Sequence, residues 1–325
     1  MPPSRRSFLR TLLIVPLSPG LSPGRAHARG FVVPGDEQRR EALGPIDDLA
    51  PDLRAALAPT ADDLPIPQPR AGDWLAINEE PGQTFAQFER ERSNRPRRGR
   101  RKLAVLPLDD LSGSGMPELR VVCDYAAAFF QLPVEHRPAV ELASLRPRSR
   151  SRGTYRQYYT RDILAALRKR VPNDAYCLIA VTKSDLYQVP ERNYVFGEAT
   201  FRERVGVYSF ARYDPAWDGE SGGHGAAMTI LHRSLKVVVH EIGHMCGIRH
   251  CIHYHCVMNG SSDLIESDAA PLHLCPICRR KLHHAIRFDP ARRERDLAAF
   301  FRAHGFLVDA ARCERRLAAI LASAA

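Results

Sequence analysis

Apolar positions along the chain alternate between two periods. Near-continuous apolar runs at 103–108 (LAVLPL) and 176–182 (YCLIAVT) read as buried strands, the second a central one. Between them, 119–131 is apolar on most faces of a helix, 134–140 is a second strand and 162–170 a further helix. Residues 205–211 alternate and read as the edge strand. Ile230, Leu231, Leu235, Val238 and Val239 recur at helical spacing and predict a helix over 227–247 with one buried face. Helices follow near 276–286, 291–304 and 310–322. Upstream, 36–58 carries one or two short helices, and PIPQPR then reads as a proline-rich linker. The stretch 214–227 contains SGGHG and no period, which makes it a loop near a cleft. Strands alternating with helices place the chain in the α/β class, with the main domain starting near residue 72.

The predicted helix over 227–247 carries chemistry. His240 and His244 are four residues apart, so both lie on one helical face. Two imidazoles so placed can bind one zinc ion at about 2.0–2.1 Å each. Gly247 breaks the helix, because glycine accepts the left-handed conformation that reverses a chain. The reversal lets His250 return as a third ligand. Three protein ligands leave a fourth position for water, the pattern of a catalytic rather than a structural zinc. Glu241 lies beside the metal without ligating it, placed to take a proton from that water. Tyr208, Tyr213 and Tyr254 are candidate donors to a developing oxyanion. Glu198 and Glu203 are candidates to hold an α-amine if the cut is at a chain end.

A second ligand set begins directly after the third histidine. Cys251 and Cys256 form C-x4-C, and Cys275 and Cys278 form C-P-I-C. Four thiolates in two short-spaced pairs fit a closed structural zinc site. Two disulfides are the alternative, although a bridge across two intervening residues is strained. His253 and His255 sit between these cysteines and read as loop residues. Cys123, Cys177, Cys246 and Cys313 lie among apolar neighbours and read as buried thiols.

The combination HExxHxxGxxHC, four residues, CxM and then LCPIC resembles the signature of the archaemetzincins. GDWLAINEEPGQTFAQF (72–88), RKLAVLPLDDL (101–111), PNDAYCLIAVTKSDLY (172–187), NYVFGEAT (193–200), VGVYSFARY (205–213) and LCPICRRKLHHAIRFDPARRERDLAAFF (274–301) also look like blocks of that family. The resemblance covers about residues 70–305. It implies a metzincin-like zincin fold: a twisted mixed sheet with an antiparallel edge strand, an active-site helix and a zinc-braced C-terminal helical lobe. It implies a zinc metallopeptidase with two zinc ions, one catalytic (His240, His244, His250, base Glu241) and one structural (Cys251, Cys256, Cys275, Cys278). Met258 is then the methionine of the turn beneath the histidines. Peptide-bond hydrolysis is expected, an aminopeptidase being one form of it. A two-zinc peptide-binding protein with little catalysis and a redox or zinc-buffering protein are the alternatives.

Charge and the front end change the picture less. The formal charge is +10, and residues 1–28 hold four arginines and no acids. The excess lies in ERERSNRPRRGRRK (89–102) and RPRSRSRG (146–153). Lacking interleaved aromatics, these runs read as solvated linker faces rather than a nucleic-acid surface. Arg5-Arg6-Ser7-Phe8-Leu9-Arg10, a short apolar stretch and Ala26-His27-Ala28 match a twin-arginine export signal with a small-x-small cleavage site. The expected organisation is therefore a signal at 1–28, a Pro/Ala-rich extension and linker at 29–71, a peptidase domain at 72–305 and a helical tail at 306–325. The product is an exported monomer acting on peptides or proteins, with no membrane span and no nucleic-acid partner. It is cytoplasmic if the signal does not function.

Overall fold

The computed structural model describes residues 30–91, 94–112, 116–153, 155–190, 193–214, 217 and 225–324. Residues 1–28, expected to be an export signal, and most of the SGGHG stretch lie outside the described residues.

The elements run in order α1 (Asp36–Leu43), α2 (Pro51–Leu57), α3 (Trp74–Ile77), α4 (Phe85–Arg90), β1 (Lys102–Leu108), α5 (Leu119–Phe130), β2 (Val134–His136), β3 (Ser149–Arg152), β4 (Tyr155–Tyr159) and α6 (Thr160–Arg168). They continue as β5 (Ala175–Thr182), β6 (Asp185–Tyr187), β7 (Gly197–Ala199), β8 (Val205–Ser209) and α7 (Ala226–Met245). The C-terminal part holds α8 (Leu264–Ala269), α9 (Pro276–Ile286), α10 (Pro290–Ala303) and α11 (Leu307–Ala324). The fold is a mixed α/β architecture with a helical C-terminal lobe.

The main sheet has the order β2-β1-β5-β8-β7. Its first four strands are parallel, and β7 pairs antiparallel with β8 through Gly197–Tyr208, Glu198–Val207 and Ala199–Gly206. Alternation along the strands divides the core. Leu103 and Val105 of β1, with Cys177, Ile179 and Val181 of β5, face α5, α7 and the C-terminal helices. Ala104, Leu106, Leu178 and Ala180 face α6 on the opposite side. A strand buried on both faces reads as a continuous apolar run, which is why β1 and β5 are visible in the sequence.

Two expectations are corrected. The edge is β7, not 205–211: β8 lies between β5 and β7 and is fully buried. The real edge reads only Gly-Glu-Ala and has no apolar signature. The arginine run at 146–153 is not a linker. It contains β3, an antiparallel partner of β4 in a small second sheet with β6. Its outer arginines are exposed, while the half-buried Arg150 donates to Gln157 Oε1 at 2.8 Å and to the Pro190 carbonyl at 2.7 Å, and covers the Tyr187 ring.

The segment before β1 packs on the C-terminal lobe. Arg279, 1% exposed, donates to the Ala56 carbonyl at 2.8 Å, and Arg316 reaches Asp63 at 2.7 Å. Burial alone would raise the Asp63 carboxyl, but the Arg279 and Arg316 charges hold it below its usual range.

Candidate metal centre

Helix α7 carries His240 and His244 one turn apart, with Glu241 directly after the first, in a stretch from Ser234 to Met245 that is wholly buried. It ends as its sequence dictates. Gly247 adopts φ 86°, its N–H bonds the His244 carbonyl at 2.8 Å, and Ile248 N–H bonds the Gly243 carbonyl at 3.1 Å. The reversed chain brings His250 back, and the three histidines offer ring nitrogens within 4.8 Å of one another.

Each imidazole is fixed by its far nitrogen. His240 Nδ1–H donates to the Val257 carbonyl at 2.8 Å and His244 Nδ1–H to the Ile248 carbonyl at 2.7 Å. His250 Nδ1–H donates to Glu80 Oε1 at 2.7 Å. A carbonyl or carboxylate can only accept, so all three rings carry their proton on Nδ1 and present the Nε2 lone pair. His240 and His244 Nε2 stand 2.9 Å apart, and with both Nδ1 atoms protonated neither can donate to the other. Two lone pairs at that distance repel unless a cation lies between them. Among the described residues, His250 Nε2 is buried without a hydrogen-bond partner. Burial and then the neighbouring His250 push His240 down to about 3, and burial pushes His244 well below its usual value, so both rings stay neutral. The donor set therefore fits a zinc ion.

Among the described residues, both Glu241 carboxylate oxygens are buried without a hydrogen-bond partner. Edge strand β7 lies directly over them: a Cβ at Gly197 would stand 2.9 Å from Glu241 Oε1. Burial, then the charge of Glu198, raises the Glu241 pKa well above its ordinary value. Met258 underlies the helix, and a Cβ at Gly243 would come within 2.6 Å of its Sδ. The methionine thus sits beneath the residue between the two helical histidines.

The four cysteines converge as their spacing suggests. Their Sγ atoms lie within 4.8 Å of one another, all four thiols are free, and each is at most 3% exposed. Cys251 and Cys275 Sγ stand 3.6 Å apart, near the ~3.8 Å edge of a tetrahedron with 2.3 Å zinc–sulfur bonds. The N–H groups of Cys275 and Cys278 point at Cys256 and Cys275 Sγ at 3.3 and 3.5 Å, as suits thiolates. The cluster fits a four-thiolate zinc better than two disulfides. His253 and His255 belong to neither ligand group. Cys123, Cys177, Cys246 and Cys313 are buried outside this cluster, and burial raises each thiol.

Other candidates separate. Tyr213 is fully buried, its hydroxyl has no partner, and it lies within reach of the Glu241 charge. Tyr208 is likewise buried without a hydroxyl partner. Tyr254 lies instead on the cysteine side, under Arg39 and bridged to Pro65. Glu198 accepts from Thr160 Oγ1 and from Gln188 Nε2 at 2.9 Å, and Glu203 pairs with Arg168 at 2.9 Å, so both acids are engaged.

The segment 72–88 supplies partners that spacing did not reveal. Glu80 Oε1 accepts the Trp74 indole N–H at 2.9 Å as well as His250, and Trp74 packs edge-on against His250 at 5.0 Å. Burial alone would raise Glu80, but the His250 and Trp74 bonds leave it below its usual value. Gln83 clamps the reversal, donating to the Gly247 carbonyl and accepting from Arg249 N–H, each at 3.2 Å. Asn259 organises the cysteine loop, donating to the Cys251 carbonyl at 2.7 Å and accepting from Cys256 N–H at 2.7 Å.

The profile of Peptidase family M54 matches residues 152–284, which hold every candidate ligand. Archaemetzincin-2 of Pongo abelii is 31% identical over 280 residues, covering 75% of this chain and 76% of that protein. The chain belongs to the archaemetzincin family. Membership makes it a peptidase, a hydrolase acting on peptide bonds. Human archaemetzincin-1 is 33% identical over 66% of this chain and 49% of its own length. The crystal structure of archaemetzincin from Methanopyrus kandleri is 28% identical, with a TM-score of 0.46, and covers 58% of this chain and 97% of that one.

Proposed function

We propose that this archaemetzincin hydrolyses peptide bonds at a zinc ion held by His240, His244 and His250. Glu241 serves as general base and then acid, and a second zinc in the Cys251, Cys256, Cys275 and Cys278 cluster braces the C-terminal lobe. One observation carries the reading: three imidazoles tied through Nδ1 present their lone pairs beside a buried carboxylate that nothing holds. Zinc on three imidazoles supplies a Lewis acid that acidifies water and polarises a carbonyl. Glu241 takes the proton lost as water attacks the carbonyl carbon. It returns that proton to the amide nitrogen as the C–N bond breaks, releasing a carboxylic acid and an amine. Tyr213 donates to the developing oxyanion. An extended substrate backbone pairs with edge strand β7. Since Glu198 and Glu203 are engaged, neither serves to hold an α-amine.

A peptide-binding protein without catalysis would have no use for Glu241 as placed, because burying a carboxylate without hydrogen bonds costs stability. The test is cleavage of a diverse peptide mixture, read by mass spectrometry, by zinc-loaded wild type and Glu241→Ala. Wild type cleaves, and the variant is slower by about 10²–10⁴-fold. Equal cleavage by both overturns the proposal. Export through the Arg5-Arg6 signal completes the reading, and Arg5→Lys with Arg6→Lys should then retain the chain in the cytoplasm.

A further inference from the structure

Linked to the metal centre through Tyr176 and Phe201 is a cavity of about 570 Å³ lined by Asn94, Arg95, Arg97, Arg100, Tyr176 and Arg204. Its rim is a tight turn. Arg97 and Arg100 exchange both backbone hydrogen bonds, at 3.2 and 2.8 Å, around a Gly99 with φ 81°. Asn94 anchors the turn: its Nδ2 donates to the Phe201 and Arg202 carbonyls at 2.7 and 3.0 Å, and its carbonyl accepts the Tyr176 hydroxyl at 3.1 Å. The same two residues connect to the histidines. Tyr176 also bonds the Met245 carbonyl at 2.6 Å, and the Phe201 ring meets the His244 ring edge-on at 5.5 Å.

Arg95, Arg97, Arg100 and Arg204 line this space, and among the described residues none of the four is paired with a carboxylate. Arg204 spends one nitrogen on the Ala175 and Tyr176 carbonyls at 3.0 Å each. Arg95 turns to the His284 ring rather than to an acid. Burial, then the Arg95 and Arg287 charges, lowers the His284 pKa against the Glu89 carboxylate 3.7 Å from its Nδ1, so the ring is neutral and accepts from Arg95. Like charges gathered around a concavity repel one another and focus a positive potential into it. The arrangement is favourable when an anion enters, because arginine forks match oxyanion geometry. Part of the run at 89–102 is solvated, as read from sequence, and also lines the cavity.

We propose that this cavity is an anion site that holds the carboxylate or phosphate groups of an acidic peptide substrate beside the metal centre. The substrate assignment rests on the reading of the chain as an active peptidase, whereas anion binding itself does not. A peptide is favoured over single-stranded nucleic acid because the lining offers no stacking platform. Tyr176, its one aromatic residue, is 1% exposed with its hydroxyl spent on two carbonyls.

Binding is read by fluorescence anisotropy with labelled hexa-D-glutamate, which resists cleavage, on the zinc-loaded full chain. Hexa-D-glutamine, a D-phosphoserine peptide and a short single-stranded oligonucleotide are run beside it. Wild type should bind hexa-D-glutamate at least about 10-fold tighter than the glutamine control, weakening as salt rises. Arg97→Glu with Arg100→Glu should lose about 10-fold or more of that affinity. Both positions are exposed, so an unchanged melting curve verifies the fold. The ratio between the phosphoserine and glutamate peptides identifies which oxyanion the site takes. Equal binding of glutamine, an indifferent double variant, or tighter binding of the oligonucleotide each overturns the proposal. Cleavage of L-peptides separates the two readings. Cleavage without any preference for acidic sequences sinks the substrate assignment and leaves the peptidase standing, while anion binding without cleavage sinks the peptidase and the substrate assignment together and leaves only the anion site.

Discussion

Replacing Glu80 by leucine removes the carboxylate that holds His250 in place. Oε1 accepts the His250 Nδ1–H at 2.7 Å and the Trp74 indole N–H at 2.9 Å, and the His250 side chain is 1% exposed. Leucine has a comparable volume and accepts nothing. A buried imidazole N–H then loses its partner, at a cost of about 1–3 kcal/mol. The ring also becomes free to rotate or to move its proton to Nε2, and either change withdraws the lone pair from the metal. Loss of such an outer partner weakens metal binding by about 10–100-fold, or about 1.4–2.7 kcal/mol, in agreement with the hydrogen-bond figure. Zinc titration against a chromogenic chelator resolves the histidine site from the cysteine site. The histidine-site dissociation constant should rise by about 10–100-fold, with the cysteine site unchanged. Glu80→Gln, whose amide oxygen still accepts one N–H, should fall between. Wild-type zinc affinity in Glu80→Leu refutes the reasoning. Loss of both zincs together with the melting transition refutes a role confined to His250.

Gly197→Ala places a methyl 2.9 Å from Glu241 Oε1 and 3.0 Å from the Val207 carbonyl, which cannot move aside. Peptide cleavage should fall by about 10-fold or more as the base is displaced, while zinc content, read by elemental analysis, stays at wild type. Cys278→Ser should remove the zinc of the lobe and expose the remaining thiols to titration. A loss of about 3 kcal/mol would lower Tm by roughly 6–12 °C, and an unchanged Tm would deny the cluster its bracing role. Burial raises the Glu266 carboxyl to about 7 against the Ser262 and Trp74 backbone N–H bonds that lower it. A carboxyl raised in the fold contributes stability fully below its unfolded value of 4.5 and loses it as pH rises through about 7. Wild type should therefore lose Tm between pH 5 and 8 through this group, and Glu266→Gln should flatten that dependence in calorimetry.

What could be read from sequence was whatever is local. The strands β1 and β5 announce themselves because both faces are buried, so the apolar run is unbroken. Helices α9 to α11 and the ligand helix α7 carry their own periodicity, and the ligands lie at spacings set by one helical turn and one glycine reversal. What escaped is set by partners distant in sequence. The three residues of β7 have no pattern of their own and become a strand only through pairing with β8. β3 is a strand of serines and arginines because β4 and the Pro190 carbonyl satisfy it, and by composition it reads as a charged linker. Glu80 stands 170 positions before His250, and no spacing rule connects them.

That distance has a structural consequence for the two metal sites. The loop from Ile248 to Met258 carries ligands to both, yet it has little regular structure of its own. Its shape is imposed from the N-terminal side. Gln83 grips Gly247 and Arg249, Glu80 grips His250, Ile66 N–H bonds the His253 carbonyl at 3.4 Å, and His255 N–H bonds the Leu64 carbonyl at 2.9 Å. The C-terminal side of the cysteine cluster is held in the same way, with Arg279 of α9 fixed to the Ala56 carbonyl. Residues 152–284 therefore contain every candidate ligand, while much of the hydrogen bonding that positions those ligands comes from residues 56–83. An irregular loop held by distant partners orders only when those partners dock, because the entropy of fixing it must be offset by contacts outside it. In this chain the motif supplies the chemistry, and the segment preceding the sheet supplies much of the geometry on which that chemistry depends.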